Sequence, residues 1–216
     1  MTILTLEFSS SRRSAAVARG GNVLAEAAAG GGGRGPNAFG LIEIVLAEAK
    51  IGREEIEAIA VGLGPGSYTG IRAAISIAQG WQLARGIKLL GVSSVEAIAA
   101  GARAERIFGR VNVMIDAQRN EFYLAVFEIS TGGLREIEPL KVVTFAEIQS
   151  RPANEIPAGP EVVKCFPHGR AIFPSASALA QLAALRSDFI AGEKLEPVYL
   201  REVAFVKASA GRTPVV

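Results

Sequence analysis

Residues 62–70 read GLGPGSYTG and connect a short apolar run to a long helical pattern. The apolar run, residues 58–62, predicts a β-strand, and residues 70–85 predict a helix that is apolar almost all round. Gly64 and Gly66 permit positive φ angles and close approach of the backbone, and the proline between them fixes one residue of the turn. The stretch therefore predicts a strand-to-helix turn, which either binds a phosphate or only joins the two elements.

Both interpretations of this loop are physically sound. The first N–H groups and the dipole of the following helix would favour an anion, with Ser67 or Thr69 as ligand or cap and Arg72 as a cation. A structural turn, in contrast, needs no ligand, and the stretch lacks both the lysine of a P-loop and the glycine spacing of a dinucleotide fingerprint. Together with the acid that ends the first predicted strand, the residues of this candidate vestigial nucleotide or anion loop are Glu7, Gly64, Gly66, Ser67, Thr69 and Arg72.

Composition excludes several classes of function. The 216 residues carry 23 Lys and Arg against 21 Asp and Glu, so a net charge of +2 gives no strong attraction to nucleic acid or membrane. The N-terminus becomes polar too early for a signal peptide, and no stretch approaches the ~18 uncharged apolar residues of a membrane span. We therefore expect a cytoplasmic protein that does not contact membranes.

A single cysteine and a single histidine limit the chemistry further. Cys165 cannot form an intrachain disulfide, and we expect it to be a small buried residue rather than a nucleophile, because no orienting acid accompanies His168. One histidine and one cysteine also exclude the usual zinc ligand sets. The sequence accordingly predicts no metal site and no catalytic set.

Outward from the loop, the pattern predicts two α/β lobes with mixed sheets. Upstream lie a strand, a hairpin turn at Gly20-Gly21-Asn22, a glycine-rich linker (30–36) and a helix (37–50). Downstream, Ser93 and Glu96 fit a capping box for the next helix. The second half repeats the order loosely: a strand ending in Asp116 echoes the first, and Ser175 or Ser177 caps a helix over 175–192. We predict an N-terminal α/β lobe over 1–104 and a C-terminal α/β lobe over 105–216.

Two predicted helices, 37–50 and 70–85, have apolar residues on more than one face. Packing on the sheet is the commoner fate of an apolar stripe, but a helix that is apolar all round has a face left over for a partner. The predicted partner-binding residues are Phe39, Ile42, Leu46, Ile71, Ile75, Ala78, Trp81 and Gln82.

The stretch GLGPGSYTGIRAAISIAQGWQLA resembles the signature of the bacterial TsaB (YeaZ) family, whose members are accessory proteins in tRNA threonylcarbamoyladenosine biosynthesis. Further similar segments occur in the family's order, namely ILTLEFSS, GVSSVEAIA, DAQRNEFYLAVF and EPVYLRE, so the resemblance runs from residue 3 to 202. Several positions depart from the family pattern: Glu7 replaces an aspartate, Asn37 stands near a usual His-Ser pair, and Gln118 replaces an arginine, with Arg119 one place later.

The resemblance implies the actin-like ATPase fold shared by actin, sugar kinases and heat-shock proteins, which is ribonuclease H-like. It also implies a non-catalytic subunit of the complex that transfers a threonylcarbamoyl group to an adenosine of tRNA. The implied partners are a TsaD-like catalytic subunit and a TsaE-like ATPase subunit, with a homodimer in isolation through a four-helix bundle. The resemblance implies no cofactor, apart from ATP or ADP at a subunit junction.

The resemblance also implies that tRNA is contacted only indirectly, and we interpret Arg119, Arg201 and Lys207 as ordinary solvated residues. The alternative is a divergent nucleotide-binding protein or glycoprotease-like hydrolase that acts alone. Against it, a metallopeptidase needs a histidine or carboxylate cluster, and a phosphotransferase needs a second glycine-containing phosphate loop where this chain has DAQRNEF.

Overall fold

The computed structural model describes residues 1–30 and 35–200 and contains two five-stranded mixed sheets with covering helices. The first sheet has the order β3-β2-β1-β4-β5 and the second the order β10-β9-β6-β7-β8. The strands of the first sheet are β1 (Thr2–Glu7), β2 (Arg13–Arg19), β3 (Asn22–Ala29), β4 (Ala58–Gly62) and β5 (Lys88–Val92). Those of the second are β6 (Gly109–Asp116), β7 (Glu121–Ser130), β8 (Gly133–Thr144), β9 (Ile156–Gly159) and β10 (Arg170–Ala171).

The helices of the described residues are α1 (Ala38–Ala49), α2 (Tyr68–Arg85), α3 (Ser94–Ala104), α4 (Phe145–Gln149) and α5 (Ala176–Ala183). Short 3₁₀ turns cover 53–55, 162–164 and 192–194. The α/β class with two mixed sheets is confirmed. The glycine-rich linker lies largely in 31–34, and Arg201 and Lys207 lie in 201–216, so these parts of the sequence interpretation fall outside the described residues.

The chain opens with a three-stranded antiparallel meander, which contains the predicted hairpin turn. β1 pairs with β2, and β2 with β3, both antiparallel. Gly20 and Gly21 form the turn with φ angles of +58° and +86°, values that glycine adopts without steric cost. β1 pairs in parallel with β4, and β4 with β5, so the strand predicted over 58–62 lies in the centre of the sheet beside β1.

Helices cover both faces of the first sheet. Leu4 and Leu6 of β1 belong to the same core cluster as the buried faces of α1 and α2. Ile3, on the opposite face of β1, clusters with residues of α3 and α5. The other side of α3 packs on the second sheet, where Ile98 clusters with Val111. The helices α3 and α5 therefore separate the two sheets.

Helix α5 comes late in the sequence but packs against the strands of the first sheet. Thr5 donates a hydrogen bond of 2.7 Å to the carbonyl of Ala176, and Ser14 accepts one of 2.8 Å from the N–H of the same residue. The boundary between an N-terminal lobe (1–104) and a C-terminal lobe (105–216) stays a prediction. Helix α5 belongs to the second of these ranges but packs on the first sheet.

Two helix predictions need correction. Ser93 makes no side-chain cap bond to α3, because its hydroxyl instead donates to the carbonyl of Gly64 at 3.4 Å, and Glu96 lies 3.8 Å from Arg186. Helix α5 begins after Ser175, one of the two predicted caps, but ends at Ala183 rather than near 192. Beyond its end the chain runs to β5, where Ile190 forms an antiparallel bridge with Leu89 of that edge strand.

Cys165 was expected to be buried, and this was wrong, since the structure exposes it. The residue ends the 3₁₀ turn over 162–164, where Val162 and Phe166 fill the core of the second lobe and turn the cysteine outward.

Candidate functional site

The GLGPGSYTG stretch joins β4 to α2, as predicted. Ser67 caps the helix, because its Oγ accepts a hydrogen bond of 3.3 Å from the N–H of Gly70. Gly64 and Gly66 have φ angles of +85° and +147°, and the Gly64–Pro65 peptide bond is cis. The turn thus uses the conformational freedom that the glycines suggested.

The glycines of this loop approach the chain's own backbone. A Cβ at Gly66 would overlap the carbonyl oxygen of Ser9, and one at Gly70 would overlap that of Phe8. The N–H of Ser67 donates to the Ser9 carbonyl at 2.6 Å, and that of Gly64 donates to Ser94 Oγ at 3.1 Å. The space beside these glycines, which a bound phosphate would need, is therefore occupied by the segment that follows β1.

Glu7 is a buried carboxylate at the centre of this junction. Its Oε1 accepts a hydrogen bond of 2.7 Å from the N–H of Ser9, and its Oε2 accepts one of 3.0 Å from the hydroxyl of Ser94. Burial raises the pKa of Glu7 above its ordinary value, and the hydrogen bonds from Ser9 and Ser94 oppose that rise. Glu7 thus connects β1, the loop and the start of α3 from inside the protein.

Arg72 is held by two tyrosines. Its Nε donates to the hydroxyl of Tyr199 at 3.1 Å, and its guanidinium carbon lies 4.4 Å from the ring centroid of Tyr68. The two tyrosine rings lie 6.2 Å apart. Arg72, which the sequence suggested as a cation for a bound anion, thus contacts tyrosines in an exposed cluster on the first turns of α2. Thr69 is exposed on the same helix.

A cleft of about 460 Å³ lies beside the loop and takes its walls from both lobes. Of the candidate loop residues, Gly66 and Ser67 line it, whereas Glu7, Gly64, Thr69 and Arg72 do not. The second lobe contributes Asp116, Glu161 and Lys164. Burial and then the negative charge of Asp116 raise the pKa of Glu161, and Lys164 opposes this. Two neighbouring carboxylates disfavour a polyphosphate here.

Residues 1–30 and 35–200 contain no group of three or more His, Cys, Asp or Glu side chains that could hold a metal ion. In the same ranges, no helix is long and apolar enough to cross a bilayer.

The predicted partner-binding residues fall into two groups. Within the chain's own core lie Ile42, Leu46, Ile71, Ile75 and Ala78. At the surface, Phe39 is 62% exposed, and Trp81 and Gln82 are half-buried. The stripe with helical spacing in the sequence is the face of each helix that packs on the sheet, which is the usual arrangement. The partner role of these eight residues stays a prediction.

Gln82 has an intramolecular role that sequence reasoning missed. Its Oε1 accepts a hydrogen bond of 2.7 Å from the N–H of Gly192, and its Nε2 donates to the carbonyl of Ile87 at 3.3 Å. Gln79, one turn earlier, donates to the carbonyl of Gly192 at 2.9 Å. The two glutamines fasten the C-terminal segment 190–199 to α2. Their polarity within an otherwise apolar helix was the available signal.

The outward face of α2 presents a different set of residues, most of them small. The exposed residues of this face are Arg72, Ala73, Ser76, Gly80, Leu83 and Ala84. Leu83 is 89% exposed, and a Cβ at Gly80 would meet no atom within 4 Å. A hollow of about 180 Å³ lies between α1 and α2, lined by Phe39, Gly80 and Trp81 among others. We call the exposed face of α2, together with this hollow, the α1/α2 face.

Comparison with known proteins identifies similar sequences and structures. Residues 37–205 match the family model described as TsaD: tRNA N6-adenosine threonylcarbamoyltransferase. The chain is 27% identical over 230 residues to the tRNA threonylcarbamoyladenosine biosynthesis protein TsaB of Escherichia coli K12, covering 98% of this chain and all of that protein.

Among solved structures, YeaZ from Pseudomonas aeruginosa aligns with a TM-score of 0.79 and 27% identity, over 92% of this chain and 100% of that one. The activator of the 2-hydroxyisocaproyl-CoA dehydratase from Clostridium difficile, solved with bound ADPNP, aligns with a TM-score of 0.51 at 10% identity over 90% of this chain and 96% of that one, and shows a shared fold alone.

Proposed function

This chain belongs to the family that the TsaD model describes, and within it to the TsaB (YeaZ) proteins, so it takes part in tRNA threonylcarbamoyladenosine biosynthesis; we propose that it does so as a non-catalytic accessory subunit. In this proposal it acts in the cytoplasm by binding and supporting a TsaD-like catalytic subunit, with a TsaE-like ATPase as a further member of the complex. The single observation that carries it is the α1/α2 face, a solvent-exposed surface of mostly small or apolar residues on a helix whose other side already fills the core.

The loop geometry supports the non-catalytic part of the proposal. The N–H groups of Gly64, Ser67 and Gly70, which an oxyanion or phosphate would need, donate within the chain. Glu7 is enclosed and hydrogen-bonded instead of facing the cleft, so it is badly placed to hold a metal or a water for attack. Chemistry by this chain alone would require rearrangement of the entire junction after β1.

The α1/α2 face supports the partner-binding part. Small side chains along an exposed helix allow a second helix to approach closely, and the hollow beside Phe39 can receive a side chain from it. The exposed Leu83 is the kind of large apolar group that a monomer rarely presents beside other apolar surface. The same face serves a homodimer or a heterodimer with the TsaD-like subunit, so the two assemblies compete in this proposal.

The direct experiment combines co-purification with the organism's TsaD-like protein and a reconstituted tRNA modification assay. We expect the two proteins to elute together and modification to depend on adding this chain. If modification runs at full rate without it, the accessory function is wrong.

A Gly80→Glu variant tests the surface itself. Gly80 is an exposed residue inside a helix, so glutamate raises helix propensity by ~0.5–1 kcal/mol while placing a charged side chain on the proposed contact. We expect a stable protein that no longer dimerises or binds the TsaD-like subunit. Ala146→Glu, at an exposed position of α4, is the matched control. A Gly80→Glu protein that assembles like the control would contradict the assignment of this face.

A further inference from the structure

A second surface feature lies at the end of α3, away from the α1/α2 face. Two adjoining depressions of about 700 and 490 Å³ share Arg106 and Phe108 in their walls. Their remaining walls come from the ends of α3 and α5, the β7–β8 turn, the segment that leads into β9, and residues 168–170 at the start of β10, and α2 contributes to neither. We call the joined depressions the Phe108 groove.

Three arginines in the walls of the groove make no ion pair within residues 1–30 and 35–200. Arg103 donates to the carbonyls of Ser130 and Thr131 at 3.2 and 2.6 Å, and these contacts position its guanidinium without cancelling its charge. Arg106 and Arg170 are exposed in the wall.

Most of the acids that border the groove are already paired. Glu155 is buried and binds Arg151 at 2.7 Å, and Arg151 also binds Glu138 at 2.6 Å. Glu96 lies 3.8 Å from Arg186, which binds Asp188 at 2.6 Å. Glu105 is thereby the wall carboxylate without an ion pair among residues 1–30 and 35–200. The three arginines without an ion pair outnumber this one carboxylate, and they favour a polyanion at the groove.

Phe108 presents an aromatic ring between these cations. Its side chain is 41% exposed, and it forms part of both depressions. A positively charged groove with an accessible aromatic ring is the arrangement by which proteins bind unpaired nucleotides, since the phosphates contact the cations and a base stacks on the ring.

Arg106 occupies a backbone position that is usually glycine. Its φ angle is +59°, directly after the C-cap of α3, and its N–H donates to the carbonyl of Arg103 at 3.0 Å. The fold gains nothing from a long side chain here, because glycine adopts this conformation at lower cost. Replacement by glycine therefore removes the guanidinium without harming the helix end.

We propose that the Phe108 groove binds the tRNA substrate, with phosphates at Arg103, Arg106 and Arg170 and an unpaired base stacked on Phe108. The inference rests on the proposed function, because tRNA is a ligand of this chain only within that modification. It adds a direct contact where the sequence indicated an indirect one. A protein partner would use the exposed Leu185 at the rim and is the rival occupant.

The test measures RNA binding by the full chain with fluorescence anisotropy over a range of salt concentrations. The probes are a tRNA transcript containing the target adenosine and a fully paired RNA duplex of similar length. For Arg106→Gly with Arg170→Ala, we expect weaker tRNA binding and a salt slope reduced by about 1.4, at ~0.7 for each lost phosphate contact. Phe108→Leu should weaken tRNA binding about tenfold and duplex binding little, because only the unpaired base stacks.

Two controls keep the outcome interpretable. Arg13→Ala removes an exposed arginine of β2 that does not line the groove and should leave the affinity unchanged. Arg106→Gly alone should unfold at no lower temperature than the parent protein. Unchanged tRNA affinity and salt slope in the double variant would overturn the inference, as would loss of co-purification with the TsaD-like subunit at unchanged tRNA affinity. Because binding is measured apart from modification, this failure is distinguishable from failure of the accessory function.

Discussion

Glu7 and Gly62 are fitted to each other across neighbouring strands: the carboxylate of Glu7 occupies the space that a side chain at residue 62 would fill. Glutamate is one methylene longer than the aspartate of the TsaB pattern. Here the longer side chain extends over β4 and accepts hydrogen bonds from Ser9 and Ser94. The substitution at residue 7 and the glycine at residue 62 therefore form one structural unit.

Gly62→Ala tests this fit. The added methyl group collides with the Glu7 carboxylate in a fully buried site, so we expect the free energy of unfolding to fall by about 1–3 kcal/mol. In a Glu7→Asp background the carboxylate is shorter, and the same change should cost clearly less. A double-mutant cycle by urea denaturation measures the coupling, and additive losses would contradict the fit.

Glu7→Gln tests the protonation of the buried carboxyl group. Because its folded pKa is raised above 4.5, the native protein retains a proton that the unfolded chain has released in the interval between the two pKa values. The contribution of this group to the stability of the parent protein is therefore lost as the pH rises through that interval. Glutamine does not titrate, so the variant has no such loss. Urea denaturation from pH 4 to 8 should show the difference in unfolding free energy shifting in favour of the glutamine variant as the pH rises. A constant difference would mean that residue 7 has an ordinary pKa.

Local sequence was sufficient for most of the fold. The strand at 58–62, the Gly20-Gly21 turn and the start of α2 all depend on neighbouring residues, and each was predicted within two residues of its position. The purpose of the glycines in GLGPGSYTG was less accessible, because it depends on the backbone of Phe8 and Ser9, which the fold brings to the loop from a distant part of the chain.

The orientation of α2 was the other feature that sequence could not determine. A helix with apolar residues all round has no contrast between its faces, and the regular stripe through Ile71 and Ile75 fits either a core or a partner surface. In the structure Ile71 and Ile75 are buried in the chain's own core, and the exposed small residues around Gly80 are further candidates for the partner surface. Gln82 likewise could not be assigned before Gly192 was placed beside it.

Ser67→Ala tests whether the loop acts as a helix cap or as a contact for the partner. Loss of the bond from Gly70 N–H to Ser67 Oγ should lower the free energy of unfolding by about 1 kcal/mol. Because the hydroxyl does not reach the α1/α2 face, assembly with the TsaD-like subunit should persist at unchanged affinity. Thermal unfolding and size-exclusion chromatography with light scattering measure the two effects. Loss of assembly in a protein of nearly unchanged stability would point to the loop as a contact.

Ile75→Asp and Leu83→Asp separate the two faces of α2. Ile75 is 6% exposed, so an aspartate there buries an unpaired charge and should cost on the order of 3 kcal/mol or more, enough to unfold much of the protein. Leu83 is 89% exposed, and its aspartate variant should stay folded but lose the partner. Circular dichroism and co-purification provide the two readouts. A folded Ile75→Asp protein that fails only in assembly would instead place residue 75 on the partner surface.

Gln82→Ala tests the attachment of the C-terminal segment. The change leaves the N–H of Gly192 and the carbonyl of Ile87 without their side-chain partner in a partly buried site, which should cost about 1–3 kcal/mol. The effect should be local: amide exchange should accelerate at Ile190 and Val198, whose N–H groups donate to Leu89 and Leu63. Amides of β1 should be unaffected in the same experiment, because that strand is paired on both sides. Gln149→Ala, at an exposed position of α4, removes the same side chain without these contacts and should leave the exchange pattern unchanged. If exchange in 190–198 does not respond to Gln82→Ala, the other contacts of the segment, including those of Gln79 and Leu195, are sufficient to hold it.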